Sequence, residues 1–170
     1  MLDHKPIVRS VSGEITAMQV EAIVHAANSH LWMGSGAAGV IKAKAGADIE
    51  KEAMARGPVK IGQAIATGAG QMPLPVRRII HMAVYTQEME TDLASIRQAT
   101  MAALLLADSE GVRSLAIPVV QGGNLSLSAV ALLMEGTIES VLEATIRLHD
   151  VYLVFPSPDD LAEFRLRQPL

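Results

Sequence analysis

One glycine-rich stretch near the N-terminus has the residue types and the spacing of an anion-binding loop. It runs through Gly34, Ser35, Gly36, Ala37, Ala38 and Gly39, and a helical pattern follows at residues 40–45. Glycine lets the backbone approach a ligand closely and adopt positive φ. Free N–H groups at the start of a helix then form a concave anion site, which the helix dipole reinforces. We therefore expect a phosphate or diphosphate here; the alternative is a tight turn between a strand and a helix.

Two common phosphate-binding patterns do not fit this stretch. It matches G-x-G-x-x-G, but the polar loop from Asn28 to Met33 separates it from the preceding strand. The acids that follow, Asp48, Glu50 and Glu52, lie in a helical pattern rather than at the end of a second strand, as a dinucleotide fold requires. No Lys-Ser or Lys-Thr pair follows the glycines, which excludes a Walker loop.

The elements that must position this stretch alternate between strands and helices. The run Ala22-Ile23-Val24, with small residues after it, favours a buried strand that ends at Asn28-Ser29. Further strands are predicted at 7–11, 62–68, 78–84, 114–119 and 151–155. Helices are predicted at 17–20 with Thr16 as cap, 48–56, 92–110 with Thr91 or Asp92 as cap, 128–148 with Ser128 as cap, and 159–167. This alternation predicts an α/β sandwich of three layers, with a mixed, largely parallel central sheet.

Composition limits the class of protein. The chain has 170 residues, half of them apolar, which predicts one domain over residues 1–170. It has no cysteine, which excludes disulfides, thiolate catalysis and cysteine metal sites. A net charge of −4 without basic clusters argues against nucleic-acid binding, so backbone amides must supply much of the attraction for any anionic ligand. We expect no metal and no cofactor, and the oligomeric state stays open.

Targeting signals are not evident in this sequence. The first ten residues lack a long apolar core and a cleavage signature. The longest clean apolar run, Met101 to Ala107, is too short to span a bilayer. The expectation is a soluble, cytoplasmic protein without a membrane partner.

Several short motifs together resemble a known family. A strand ends in A-A-N at Asn28, a leucine follows at Leu31, and G-x-G leads into a helix. The other motifs, in order, are Gly13-Glu14-Ile15-Thr16, Gly62-Gln63-Ala64, Thr67-Gly68, Ile79-Ile80-His81 and Ala116-Ile117-Pro118. In this order and spacing the chain resembles the macro domain, the ADP-ribose-binding module. The resemblance covers nearly the whole chain.

The resemblance implies ligand contacts at the adenine end and beside the glycine-rich stretch. Glu14 stands where the family usually has an aspartate that accepts the adenine amino group, next to Ile15; the alternative is a solvated turn carboxylate. Asn28 is implied to face the distal ribose; the alternative is a turn residue that bonds its own backbone. Trp32 either covers one rim of the pocket or packs on the surface.

The second loop and the last strand depart from the family pattern. Gln121, Gly122, Gly123 and Asn124 replace a longer G-T-G-x-x-G loop that wraps the diphosphate and distal ribose, and the alternative is a plain turn. Phe155 is the nearest candidate for the aromatic residue that stacks on adenine; the alternative is a core phenylalanine. Among the histidines, His25 and His81 are expected to be structural, and His30 a solvated loop residue.

Three functions are compatible with these residues. The resemblance implies binding of ADP-ribose or a close derivative, free or attached to a modified protein. A second hypothesis is weak hydrolysis of ADP-ribosyl esters or of ADP-ribose-1″-phosphate, with Asn28 and a bound water. Ala38, however, stands where one hydrolase group of the family has an aspartate, and the pocket segments contain no pair of general acid and base. The third is a divergent fold that binds another nucleotide or acts as an assembly subunit.

Overall fold

A six-stranded sheet is the central feature of the computed structural model, which describes residues 5–168. The strands are β1 Ile7–Ser12, β2 Ala22–Asn28, β3 Ala64–Gly68, β4 Arg78–Tyr85, β5 Ser114–Pro118 and β6 Asp150–Phe155. Their order across the sheet is β1-β6-β5-β2-β4-β3. All neighbouring pairs are parallel except β3 with β4. The predicted mixed, largely parallel sheet is thus confirmed.

Helices cover both faces of this sheet. They are α1 Gly36–Ala45, α2 Asp48–Ala55, α3 Leu93–Ser109, α4 Leu127–Leu142 and α5 Pro158–Leu166. The apolar sides of α3, α4 and α5 form the larger core on one face, and those of α1 and α2 pack on the other. Because successive side chains of a strand alternate between faces, both faces of β4 are apolar: Ile80 and Met82 meet the larger core, and Ile79 the smaller. The three-layer prediction is confirmed.

The structure corrects several predicted helix boundaries. Ser126, not Ser128, caps α4 by accepting from the Ala129 N–H at 3.3 Å, and the helix ends at Leu142 rather than 148. It ends early because Asp108 accepts the N–H groups of residues 146, 147 and 148 and so holds them in a turn. The predicted helix at 17–20 is instead a single 3-10 turn, Ile15–Ala17, preceded by Glu14. The Asp92 cap of α3 is confirmed by its bond to the Ser95 N–H.

No helix within residues 5–168 has the length and apolar character needed to cross a membrane.

Two histidines form a buried pair across β2 and β4. His25 and His81 are register partners, and their Nδ1 atoms lie 3.0 Å apart. The second ring nitrogen of His81, Nε2, lies 2.9 Å from the hydroxyl of Thr67 on β3. One Nδ1 must carry the proton that the other accepts, so the pair excludes two charged rings. The prediction that His81 is a hydrogen-bonded core residue is confirmed, and His25 shares that role.

This pair predicts a loss of stability in mild acid. Burial is the main cause that lowers the pKa of both His25 and His81 below the ordinary value of 6.5. The unfolded chain therefore binds protons that the folded chain does not. Below about pH 6.5 the free energy of unfolding should fall, by up to ~1.4 kcal/mol per pH unit for each histidine. Urea unfolding across about pH 5 to 8 measures this slope. The variant His81→Gln should reduce the slope, and a flat wild-type profile would contradict the prediction.

Candidate functional site

The predicted ligand residues follow the carboxyl ends of parallel strands. Glu14 follows β1, Asn28 ends β2, Gln121 follows β5 and Phe155 ends β6. Since β1, β6, β5 and β2 run parallel, their carboxyl ends share one edge of the sheet. Ligands of open α/β sheets bind at this kind of edge. The fold therefore brings these segments to one side of the molecule.

The side chain of Asn28 holds the first loop, residues 29–33, which joins β2 to the glycine segment. Its side-chain oxygen accepts from the His30 N–H at 3.0 Å, and its Nδ2 donates to the Trp32 carbonyl at 3.0 Å. The residue is 3% exposed. These are the contacts of a side chain that bonds its own turn, which was the alternative prediction for this position. Only one Nδ2 proton and one oxygen lone pair are left for any other partner.

Glu50 pins the same loop from α2. Its carboxylate accepts from the buried Met33 N–H at 2.5 Å and from the Lys42 ammonium at 2.8 Å. The hydrogen bond from Lys42 is the largest cause that lowers the pKa of Glu50, followed by the Met33 N–H. Leu31, with φ of 68° and no exposed surface, packs in the core beneath the loop. The loop is thus rigidly attached on both sides before the glycine segment begins.

The glycine segment supplies free amides at the start of α1. The helix begins at Gly36 rather than Val40, so four of the six residues of the glycine segment, Gly34 to Gly39, form its first turn. Within residues 5–168 no group accepts from the N–H of Gly36, Ala37 or Ala38, and Ser35 makes no side-chain cap. Gly36 has φ of 63°, a conformation that favours glycine. The residues from Gly34 to Ala37 are exposed and Ala38 is partly exposed, so solvent reaches this turn.

The two residues predicted to meet adenine, Glu14 and Ile15, lie in the turn after β1. Glu14 is exposed, and its backbone carbonyl accepts from Ala17 while its carboxylate has no bond in the described chain. Ile15 is buried, but its N–H also has no acceptor within residues 5–168. A free carboxylate next to a free N–H offers one acceptor and one donor, the pair that a base edge with an amino group and a ring nitrogen would need.

The second loop, Gln121 to Asn124, is short, and Thr91 packs against it. Gly122 approaches Thr91 so closely that an added Cβ would lie 2.5 Å from the Thr91 methyl carbon, so only glycine fits without a shift. Gly123 has φ of 43°. Gln121 and Asn124 are exposed. Beside this loop lies a cleft of about 460 Å³, lined by Tyr85, Met89, Gln121, Gly122, Gly123, Leu125, Leu127, Pro156 and Asp160.

Phe155 is removed from the ligand candidates. It has no exposed surface, and its ring lies 5.0 Å from that of Phe164 on α5. A ring covered on all sides has no face left for adenine, so the core alternative is correct. Trp32, in contrast, is 36% exposed and lies against Gly34, where an added Cβ would sit 3.4 Å from the indole ring. Trp32 therefore forms a rim of the glycine segment.

Known proteins are similar to this chain in sequence and in fold. A model of the Macro domain matches residues 24–131, well over half of the chain. The chain belongs to the macro domain family. An uncharacterized protein from Aeropyrum pernix is 40% identical over 122 residues, which cover 70% of this chain and 64% of that protein. This chain therefore spans less than two thirds of that relative.

Two solved macro domains have the same fold. The macrodomain of Oceanobacillus iheyensis, in a variant solved with ADPR, matches with a TM-score of 0.83 at 23% identity, over 98% of this chain and 94% of its own. The Trypanosoma brucei macrodomain in complex with ADP-ribose matches with a TM-score of 0.81 at 23% identity, over 94% of this chain and 68% of its own. At these identities the match shows a shared fold.

Three supporting residues of this macro domain were not predicted from the sequence. The sequence indicates Glu50 only as one of several acids in a helical pattern, and it does not assign Tyr85 or Thr91 to the site. Each contacts the backbone of a distant loop, which no local pattern indicates. A tyrosine that ends an apolar strand, as Tyr85 does, is the one available signal. Within residues 5–168 no group of three or more His, Cys, Asp or Glu could hold a metal ion.

Replacing Glu50 should loosen the first loop of this macro domain. Glu50→Ala leaves the buried Met33 N–H and Lys42 without their acceptor, so the free energy of unfolding should fall by about 1–3 kcal/mol. Glu50→Gln keeps an oxygen for the Met33 N–H and should lose less. Urea unfolding at neutral pH measures both, with Glu143→Ala, exposed at the end of α4, as the control. Equal stability of Glu50→Ala and the control would show that the loop does not depend on Glu50.

Proposed function

We propose that this macro domain binds ADP-ribose or a close derivative at the carboxyl edge of its sheet. The observation that carries the proposal is the set of unpartnered N–H groups of Gly36, Ala37 and Ala38 at the start of α1. Such groups bind phosphate oxygens through direct hydrogen bonds and through the helix dipole. The two solved relatives with ADPR and ADP-ribose support the choice of ligand.

The other proposed contacts lie along the length of an extended ligand. The free carboxylate of Glu14 and the N–H of Ile15 would meet the adenine amino group and ring nitrogen. The short loop with Gly122 and Gly123 would meet the distal part, with the exposed amides of Gln121 and Asn124 beside it. Asn28 contributes by holding the first loop in place. An ADP-ribosyl group attached to a protein is the partner class that this ligand implies.

Calorimetry with ADP-ribose tests the proposal, and Ala37→Glu is its sharpest variant. Ala37 is exposed at the second position of α1, where a glutamate favours the helix but brings a carboxylate to the anion site. Binding should fall at least about tenfold while stability is kept, since like charges repel in the site. Ala94→Glu, at the exposed second position of α3, is the matched control. Absence of saturable heat in the wild type would refute the proposal.

Trp32 provides an internal probe, because it is the single tryptophan of the chain. Its indole lies on Gly34 and is partly exposed, so a ligand at the glycine segment should change its solvent contact. We expect ADP-ribose to shift or quench the fluorescence with the same dissociation constant as in calorimetry. In Ala37→Glu the fluorescence change should be absent at ADP-ribose concentrations near the dissociation constant of the wild type. A wild type that binds by calorimetry with unaltered emission would place the ligand away from Trp32.

A further inference from the structure

Tyr85 links the two loops that flank the candidate site. Its backbone carbonyl accepts from the Ser29 N–H at 2.9 Å, at the start of the first loop. Its hydroxyl donates to the Gln121 carbonyl in the second loop at 2.5 Å. Since β2 lies between β4 and β5 in the sheet, the side chain reaches past the end of β2 to make this contact. One residue thus bonds the backbone of both loops.

The bond to Gln121 sets the direction of the next amide. The Gln121 carbonyl and the Gly122 N–H belong to one peptide unit, and in a trans peptide they point in opposite directions. Tyr85 is 9% exposed and packs in the larger core, so it draws the carbonyl towards that core. The Gly122 N–H then points away from the core, and within residues 5–168 it has no acceptor.

Two further features keep this arrangement in place. Burial raises the pKa of Tyr85 above its ordinary value, so the hydroxyl keeps its proton and remains a donor at neutral pH. The methyl group of Thr91 packs against Gly122 at a distance that leaves no room for a side chain. Adjacent glycines such as Gly122 and Gly123 have more backbone freedom than other residues. The hydrogen bond from Tyr85 restricts that freedom before a ligand binds.

We propose that Tyr85 is a positioning residue of the ligand site: it aims the Gly122 N–H at an anionic or hydroxyl oxygen in the distal half of the ligand. This inference rests on the proposed function. Tyr85 acts through Gly122 and not by touching the ligand. The fixed amide complements the free N–H groups of α1, so that donors approach the ligand from two loops that the same tyrosine joins.

The variant Tyr85→Phe tests this role, because it keeps the ring and removes the hydroxyl. We expect ADP-ribose binding to weaken about three- to tenfold in calorimetry, the range for one neutral hydrogen bond. Tyr152→Phe is the matched control: it changes the other of the two tyrosines, which lies on β6 beside Arg9. It should bind as the wild type does. Urea unfolding of both variants ensures that each is compared as a folded protein.

Amide NMR of glycine-labelled protein separates positioning from a general structural effect. ADP-ribose should shift the Gly122 signal in the wild type, and in Tyr85→Phe that shift should shrink while the Gly36 shift is kept at saturation. Equal affinity and an equal Gly122 shift in the wild type and in Tyr85→Phe would overturn this inference and leave the proposed function standing. A wild type that does not bind would overturn both.

Discussion

The candidate site depends on backbone N–H groups that keep no internal partner while their surroundings are fully bonded. In the first loop the amides of His30, Leu31 and Met33 all donate to groups of the protein. One turn further on, Gly36 and Ala37 donate to none within residues 5–168. A helix start can stay in this state only where water reaches it, since an unpaired buried N–H is costly. The bonded part of the loop therefore serves to keep the unbonded part open, exposed and fixed in direction.

This arrangement would let an acidic chain bind an anion, as we propose. The net charge is −4, and Lys42, the first cation after the glycine segment, is paired with Glu50 at 2.8 Å. Long-range attraction of an anion is therefore weak, and the proposed recognition would rest on short contacts with oriented dipoles. Such contacts discriminate between ligands by geometry, because an N–H group forms a strong hydrogen bond only with an oxygen that lies close to the direction of the N–H bond. A rigid loop matters more for this kind of site than for one lined by flexible lysines.

The sheet and the location of the loops could be predicted from the sequence, whereas several ends of helices could not. Apolar β-branched runs such as the one in β4 identify a buried strand on their own. The sequence predicts the start of α1 at Val40, because the residues from Gly36 to Gly39 have small or no side chains and hence no apolar period. The end of α4 differs from the prediction for another reason: Ile146 and Leu148 continue the helical pattern, but Asp108, distant in sequence, accepts hydrogen bonds from their N–H groups. That competition is a tertiary contact.

The same reasoning applies to single residues of the site. For Phe155 the sequence allowed a stacking ring or a core ring, and only the position of Phe164 on α5 decides between them. For Asn28 it allowed a ligand contact or a turn contact, and the spacing to His30 and Trp32 was compatible with both. A glycine motif can be recognised from the local sequence, because the lack of side chains is a property of the glycines themselves. The direction of its amides depends on partners such as Glu50 and Tyr85, which lie on other elements and are brought near by the fold. Loop geometry is therefore a property of the whole sheet, and a shortened second loop can keep its direction when a distant tyrosine holds one carbonyl.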